Sequence, residues 1–273
     1  YSADYIACHN KSFVNHMDVL KGIKENGIFV LNCDWKEEEL DKLLPDSMKR
    51  EIAEKNISFY IIDAMSIAGE IGLGNRINMI MQTIFFKLIN IIPIEDAVKM
   101  LKESIEQAYG RKGKKIVEMN YMAVDRALEK LIKVNVPESW RNIDVKKREF
   151  KFGNDFVDKI QIPMARHGGD ELPVSAFLGM EDGSFPSGTT KYEKRGIAVQ
   201  IPQWIKENCI ECGMCSFVCP HATIRLFLLD DEEKKKAPMS FKTRDVDSKG
   251  SKYYLRVQVS PLDCTGCGNC ADI

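Results

Sequence analysis

Cys209-Ile-Glu-Cys212-Gly-Met-Cys215-Ser-Phe-Val-Cys219-Pro220 is the stretch from which the rest of the chain is most readily understood. Two-residue gaps between the first three cysteines let one short loop wrap the corner of an iron–sulfur cubane, so that three thiolates reach three irons. Gly213 keeps that loop uncrowded and frees backbone N–H groups to point at sulfur. Such bonds, with burial, set a cluster's reduction potential. The longer step to Cys219 swings a fourth thiolate away from the first three, and Pro220 fixes the turn.

Cys264-Thr-Gly-Cys267-Gly-Asn-Cys270 repeats the pattern. In bacterial two-cluster ferredoxins, which use this ligand run, the fourth cysteine serves the other cluster. Cys219 is therefore expected to join Cys264, Cys267 and Cys270 on one [4Fe-4S] cluster. Cys209, Cys212 and Cys215 then supply three ligands to a second. Its fourth ligand is expected just past Ile273, so that the chain reads as cut and this cluster as one thiolate short. Paired cysteines also suit tetrahedral zinc, but two triplets, one closed by three residues and Cys-Pro, fit zinc poorly.

The other two of the nine cysteines, Cys8 and Cys33, stand alone in strand-like runs and read as buried small hydrophobes. Tight cysteine groups suit metal ligation in a reducing compartment, and the expected location is cytoplasmic. A net charge of -1 gives no indication of nucleic-acid or membrane partners. The longest apolar run, Ile77 to Ile92, is interrupted by Asn78, Gln82, Lys87 and Asn90 and reads as a buried helix.

Tyr5–Cys8, Gly27–Leu31 and Ile57–Ile62 are apolar runs of strand length. Polar periodic stretches between them, Asn15–Glu25 and Glu37–Glu54, read as surface helices, the second restarting at Pro45-Asp46. Helices are also expected over Ile77–Leu88, Ile94–Tyr109 and Lys114–Lys133. This alternation implies an α/β layered domain with a largely parallel sheet, over 1–136. Residues 137–203 read as a linker, including the mixed-charge run Asp144-Val-Lys-Lys-Arg-Glu149, and then an extended, irregular Gly/Pro-rich connector. Residues 204–273 read as an α+β ferredoxin-like domain, with Asp230–Lys236 as a solvated charged loop.

Three stretches resemble the single-chain pyruvate:ferredoxin (flavodoxin) oxidoreductases. Ile71-Gly-Leu-Gly-Asn-Arg-Ile-Asn-Met-Ile-Met-Gln-Thr-Ile-Phe-Phe-Lys-Leu88 is similar to the hallmark helix of the family's gamma-type domain. Leu172-Pro-Val-Ser-Ala176, Phe185-Pro-Ser-Gly-Thr189 and Tyr192-Glu-Lys-Arg-Gly196 match the connector named for its Glu-Lys-Arg triplet. Val199 to Pro220 matches the entry to the ferredoxin domain.

The resemblance implies a portion of an enzyme that converts pyruvate and coenzyme A to acetyl-CoA and carbon dioxide and passes electrons singly to ferredoxin or flavodoxin. Thiamine diphosphate, Mg and a third [4Fe-4S] cluster would lie in parts of the enzyme outside this stretch, in a full-length homodimer. No catalytic residue is expected here, and the stretch is not expected to be active alone. Arg76 and Asn78, at a Gly-rich turn and helix start, are the candidate contacts to coenzyme A, since a helix N-terminus beside an Arg favours phosphate. The plainer reading is that Gly72 and Gly74 shape a loop and Arg76 pairs with a carboxylate. Two alternatives stay open: an oxidoreductase for another 2-oxoacid, and a stand-alone iron–sulfur carrier that docks through its α/β part.

Among the remaining polar residues, His9-Asn10 follows a strand and reads as a polar turn, and His167 and His221 are isolated. Lys112, Lys114, Lys115 and Lys234–Lys236 read as solvated faces. Glu193-Lys194-Arg195 lies in a segment without its own core, and inter-domain pairing is expected of it.

Overall fold

β1 (Ala3–Cys8), β2 (Ile23–Asn32) and, after the short helices α1 (Leu40–Leu43) and α2 (Asp46–Glu54), β3 (Ser58–Ile62) pair in parallel. The computed structural model describes residues 2–145, 151–248 and 250–273. It separates into two compact units, Tyr1–Phe185 and Pro186–Ile273. Residues 146–149 of the mixed-charge run lie outside the described residues.

Side chains alternate across the parallel strands, as a pleated strand requires. Phe29, Leu31, Phe59 and Ile61 enter one apolar cluster with Leu40, Met48 and Ile52 from α1 and α2. Val30 and Ile62 enter a second cluster on the opposite face. That face is packed by α3 (Ala64–Glu70), α4 (Asn78–Ile89) and α6 (Lys114–Lys130), with α5 (Ile94–Tyr109) against α4 and α6. In α4 the buried Thr83 hydroxyl donates to the Met79 carbonyl at 2.7 Å, and Asn90 closes the helix in the left-handed conformation. A fourth strand, β4 (Ile132–Lys133), pairs antiparallel with β3 and completes the order β1-β2-β3-β4.

The structure corrects two expectations here. Asn15–Glu25 is not a helix. A 3-10 turn ends at Asn15, and β2 begins at Ile23 and bulges, since Ala3 pairs with Ile23 while Tyr5 pairs with Ile28. Helix α6 ends at Lys130, because Leu131 is already extended and the next two residues join the sheet. Trp140, from the stretch read as linker, is 2% exposed in the first cluster and donates from Nε1 to Asp41 Oδ1 at 2.8 Å. The unit continues through a π-helical turn into α7 (Ile162–Ala165) and successive 3-10 turns.

The second unit is built on an antiparallel sheet of order β5-β7-β6: β5 (Ile224–Leu229), β6 (Arg244–Ser248) and β7 (Ser251–Val259). Helix α8 (Met214–Phe217) precedes it and α10 (Asn269–Asp272) follows it. Asp230–Lys236 is not a loop: Asp231–Lys236 forms α9, because Asp230 and Glu233 cap its first turn reciprocally. The core of this unit is thin. Among the described residues, Ile224, Leu255, Val257 and Cys264 are its buried hydrophobic residues. Beside them the Arg256 guanidinium lies 5.3 Å from the Trp204 ring and 5.1 Å from the Phe241 ring. Among the described residues no helix is long and apolar enough to cross a membrane.

Candidate iron–sulfur centre

Antiparallel pairing brings the two cysteine groups together. Ile224 stands opposite Val259, and Ser260 N donates to the Thr223 carbonyl at 2.8 Å. The segment running back from β5 to Cys219 therefore lies beside the segment running on from β7 to Cys264, although forty-odd residues separate them in sequence.

Within each group the backbone repeats one device. The residue before the second cysteine has positive φ (Glu211 65°, Gly266 69°), and so has the residue after it (Gly213 72°, Gly268 87°). Gly213 and Gly268 each start a short helix, which carries Cys215 and Cys270 respectively. Alternation of right- and left-handed residues turns successive N–H groups to one side and makes a concavity for an anion. Glycine serves at three of these four positions because it bears no Cβ. The fourth, Glu211, is held by an ion pair from its carboxylate to Arg244 Nε at 2.7 Å, while Arg244 also donates to the carbonyls of Lys206 and Cys209.

The thiols show the same gathering. Burial raises the Cys270 thiol, and the charges of Cys264, Cys267 and Cys219 raise it further. Burial also pushes up Cys219, but hydrogen bonds from the Thr223 hydroxyl and from the N–H groups of Thr223, His221 and Ile224 outweigh it and leave the thiol below its ordinary value. Thr223 N lies 3.3 Å and Thr223 Oγ1 3.2 Å from Cys219 Sγ, and Gly266 N donates to Cys264 Sγ at 3.4 Å. Cys212 and Cys267 are exposed, and Cys209 and Cys215 are half-buried.

This donor set fits a pair of cubanes. It is all thiolate, Cys219 and Cys264 accept from backbone N–H groups, and two like loops carry six of its seven sulfurs. Among the described residues no three His, Cys, Asp or Glu side chains converge as ligands of a single metal ion. A cubane makes no such demand, since each thiolate takes its own iron.

The other candidates lie in the first unit. Arg76 and Asn78 are both exposed: Asn78 is the first residue of α4, and Arg76 lies in the turn before it, after Gly72 and Gly74 at positive φ. Cys8 and Cys33 are buried in the first apolar cluster. Asn10 caps a 3-10 turn by accepting from Ser12 N at 2.9 Å. Glu211, Thr223, Arg244 and Asp263 were not legible as site residues. The one available signal was the alignment of the two triplets, which sets Glu211 against Gly266 and so marks a glycine-like position filled by a glutamate.

Three family models cover most of the chain in succession. Pyruvate ferredoxin/flavodoxin oxidoreductase matches residues 1–130, a domain of unknown function 145–198, and a 4Fe-4S dicluster domain 208–273. A pyruvate:ferredoxin oxidoreductase of Moorella thermoacetica is 54% identical over 99% of the chain, and a pyruvate-flavodoxin oxidoreductase of Enterobacter agglomerans is 51% identical over 99%. The chain spans 23% of the length of each. A mitochondrial pyruvate dehydrogenase [NADP(+)] of Euglena gracilis is 46% identical over 99% of the chain, which spans 15% of it.

Proposed function

We propose that the chain is the portion of a pyruvate:ferredoxin/flavodoxin oxidoreductase that relays electrons through two [4Fe-4S] clusters. The observation that carries this reading is the pair of like cysteine loops set side by side in one unit. A four-iron cubane, when bound, exchanges electrons one at a time, as splitting a two-electron oxidation requires. The work of this chain is to hold the thiolates. Cys219, Cys264, Cys267 and Cys270 form one ligand set and Cys209, Cys212 and Cys215 belong to the other. The N–H groups of the two loops and Thr223 stabilise sulfur charge.

In this reading the enzyme oxidises pyruvate with coenzyme A, using thiamine diphosphate, Mg and a third cluster held by its remaining domains. It works as a cytoplasmic homodimer and passes electrons to ferredoxin or flavodoxin. Residues 1–136 serve as the gamma-type α/β layer, 137–203 as the connector and 204–273 as the ferredoxin-like domain. Arg76 and Asn78 are the proposed contacts to coenzyme A phosphate, supported by their exposure at the start of a twelve-residue helix.

Anaerobic reconstitution of the intact protein tests the first part. Iron and sulfide in cubane ratio with cubane EPR signals are expected, whereas stoichiometric zinc without iron would overturn the reading. For coenzyme A, Arg76→Ala is expected to raise its KM roughly tenfold, the loss of one charge-assisted contact. An unchanged KM would remove that assignment.

A further inference from the structure

The two cysteine loops are alike in backbone yet are braced from different places. The first is held from within the sheet, by Arg244 at the start of β6, which grips Glu211 and the carbonyls of Lys206 and Cys209. The second is met from the connector, while from the sheet the charge of Arg225 also acts on Asp263. There Lys194, in the Glu-Lys-Arg triplet, pairs with Asp263, the residue immediately before Cys264. Asp263 also accepts from Ser260 Oγ, and the Ser260 carbonyl in turn accepts from Asp263 N at 3.2 Å and Cys264 N at 3.1 Å. Two residues on, Gly196 N donates to the Leu262 carbonyl at 2.9 Å. Further on still, the chain lies against Gly266. A Cβ built there would stand 3.0 Å from the Gln200 carbonyl oxygen and 3.5 Å from Ala198 Cβ, and the site's φ of +69° already excludes most side chains.

Three successive contacts, at Lys194, Gly196 and Ala198–Gln200, thus track the second loop from Leu262 to Gly266. We infer that the segment 194–200 is a brace for the second cysteine loop, with Lys194 as its positioning residue, and that it does for this loop what Arg244 does for the first. The brace gives the end of the connector a physical task. Its consequence is local. Direction and distance of the N–H groups around Cys264 and Cys267 depend on the connector, so the potential of the cluster they serve is set in part from outside the sheet.

The inference rests on the two-cluster reading, so the test uses two readouts on the intact protein. Hydrogen exchange reports the loops themselves, and EPR-monitored potentiometry reports each cluster. Lys194→Ala is expected to speed exchange about tenfold over residues 262–267 and leave 209–215 unchanged. It should also shift the potential of one cluster only. Lys194→Arg should restore both, and Arg244→Ala should give the reciprocal pattern. Unchanged exchange over 262–267 in Lys194→Ala would overturn the brace, as would both potentials moving together. Wild-type protein without clusters would overturn the cluster reading, while the exchange result would still decide whether the brace exists.

Discussion

Cys33 is 5% exposed, and its thiol is pushed up to about 11, chiefly by burial, against an opposing hydrogen bond from the Trp35 backbone. An unfolded thiol titrates near pH 8.5, so between there and about pH 11 the unfolded chain loses this proton first. Fewer protons on the unfolded state mean that stability falls as pH rises, by up to about 1.4 kcal/mol per pH unit, and the fall ends above the folded value. Cys33→Ala removes this term. The stability advantage of wild type over Cys33→Ala, from denaturant unfolding, is therefore expected to shrink by about 2 kcal/mol between roughly pH 8 and 10.5. A constant difference would contradict the buried, neutral thiol. The same residues show what composition alone can convey: Cys8 and Cys33 read as small hydrophobes from their apolar neighbours, and they are buried as such. The left-handed Glu211 gave no such sign, because its conformation depends on Arg244, more than thirty residues away.

At the scale of elements, Asn32 ties the ends of the parallel strands. Its Nδ2 donates to the His9 carbonyl after β1 and its Oδ1 accepts from Ala64 N at the start of α3, both at 2.9 Å. The amide is 4% exposed and Ala64 is wholly buried. Asn32→Ala should therefore strand a buried N–H and destabilise the first unit by about 2–3 kcal/mol, read from its chemical denaturation. A change under roughly 0.5 kcal/mol would show that the strand ends are held otherwise. The strands themselves were legible as apolar runs, which in β2 and β3 are buried on both faces. The stretch Asn15–Glu25 misled because its polar spacing mimics a helix, whereas successive turns and then the pairing of Ile23 with Ala3 set its conformation. Asp231–Lys236 misled in the other direction: its charge suggested a loop, and the Asp230–Glu233 capping box makes it a helix.

For the whole molecule, the order of parts was legible from motif succession, since each cysteine spacing and glycine turn is a local signal. What local signals omit is the convergence of the second unit. Cys219 meets the second triplet only because β5 and β7 pair antiparallel, and the loop before Cys264 is braced by a segment some seventy residues earlier. In the proposed relay Cys219, though contiguous with the first triplet, serves the cluster of the second. The most direct measurement is EPR-monitored redox titration of the intact protein carrying Cys219→Ser, beside Cys215→Ser and Cys267→Ser. Cys219→Ser and Cys267→Ser are expected to perturb one and the same cluster and leave the other untouched, while Cys215→Ser perturbs that other cluster. Perturbation of a single shared cluster by Cys219→Ser and Cys215→Ser, with Cys267→Ser affecting the other, would contradict this assignment.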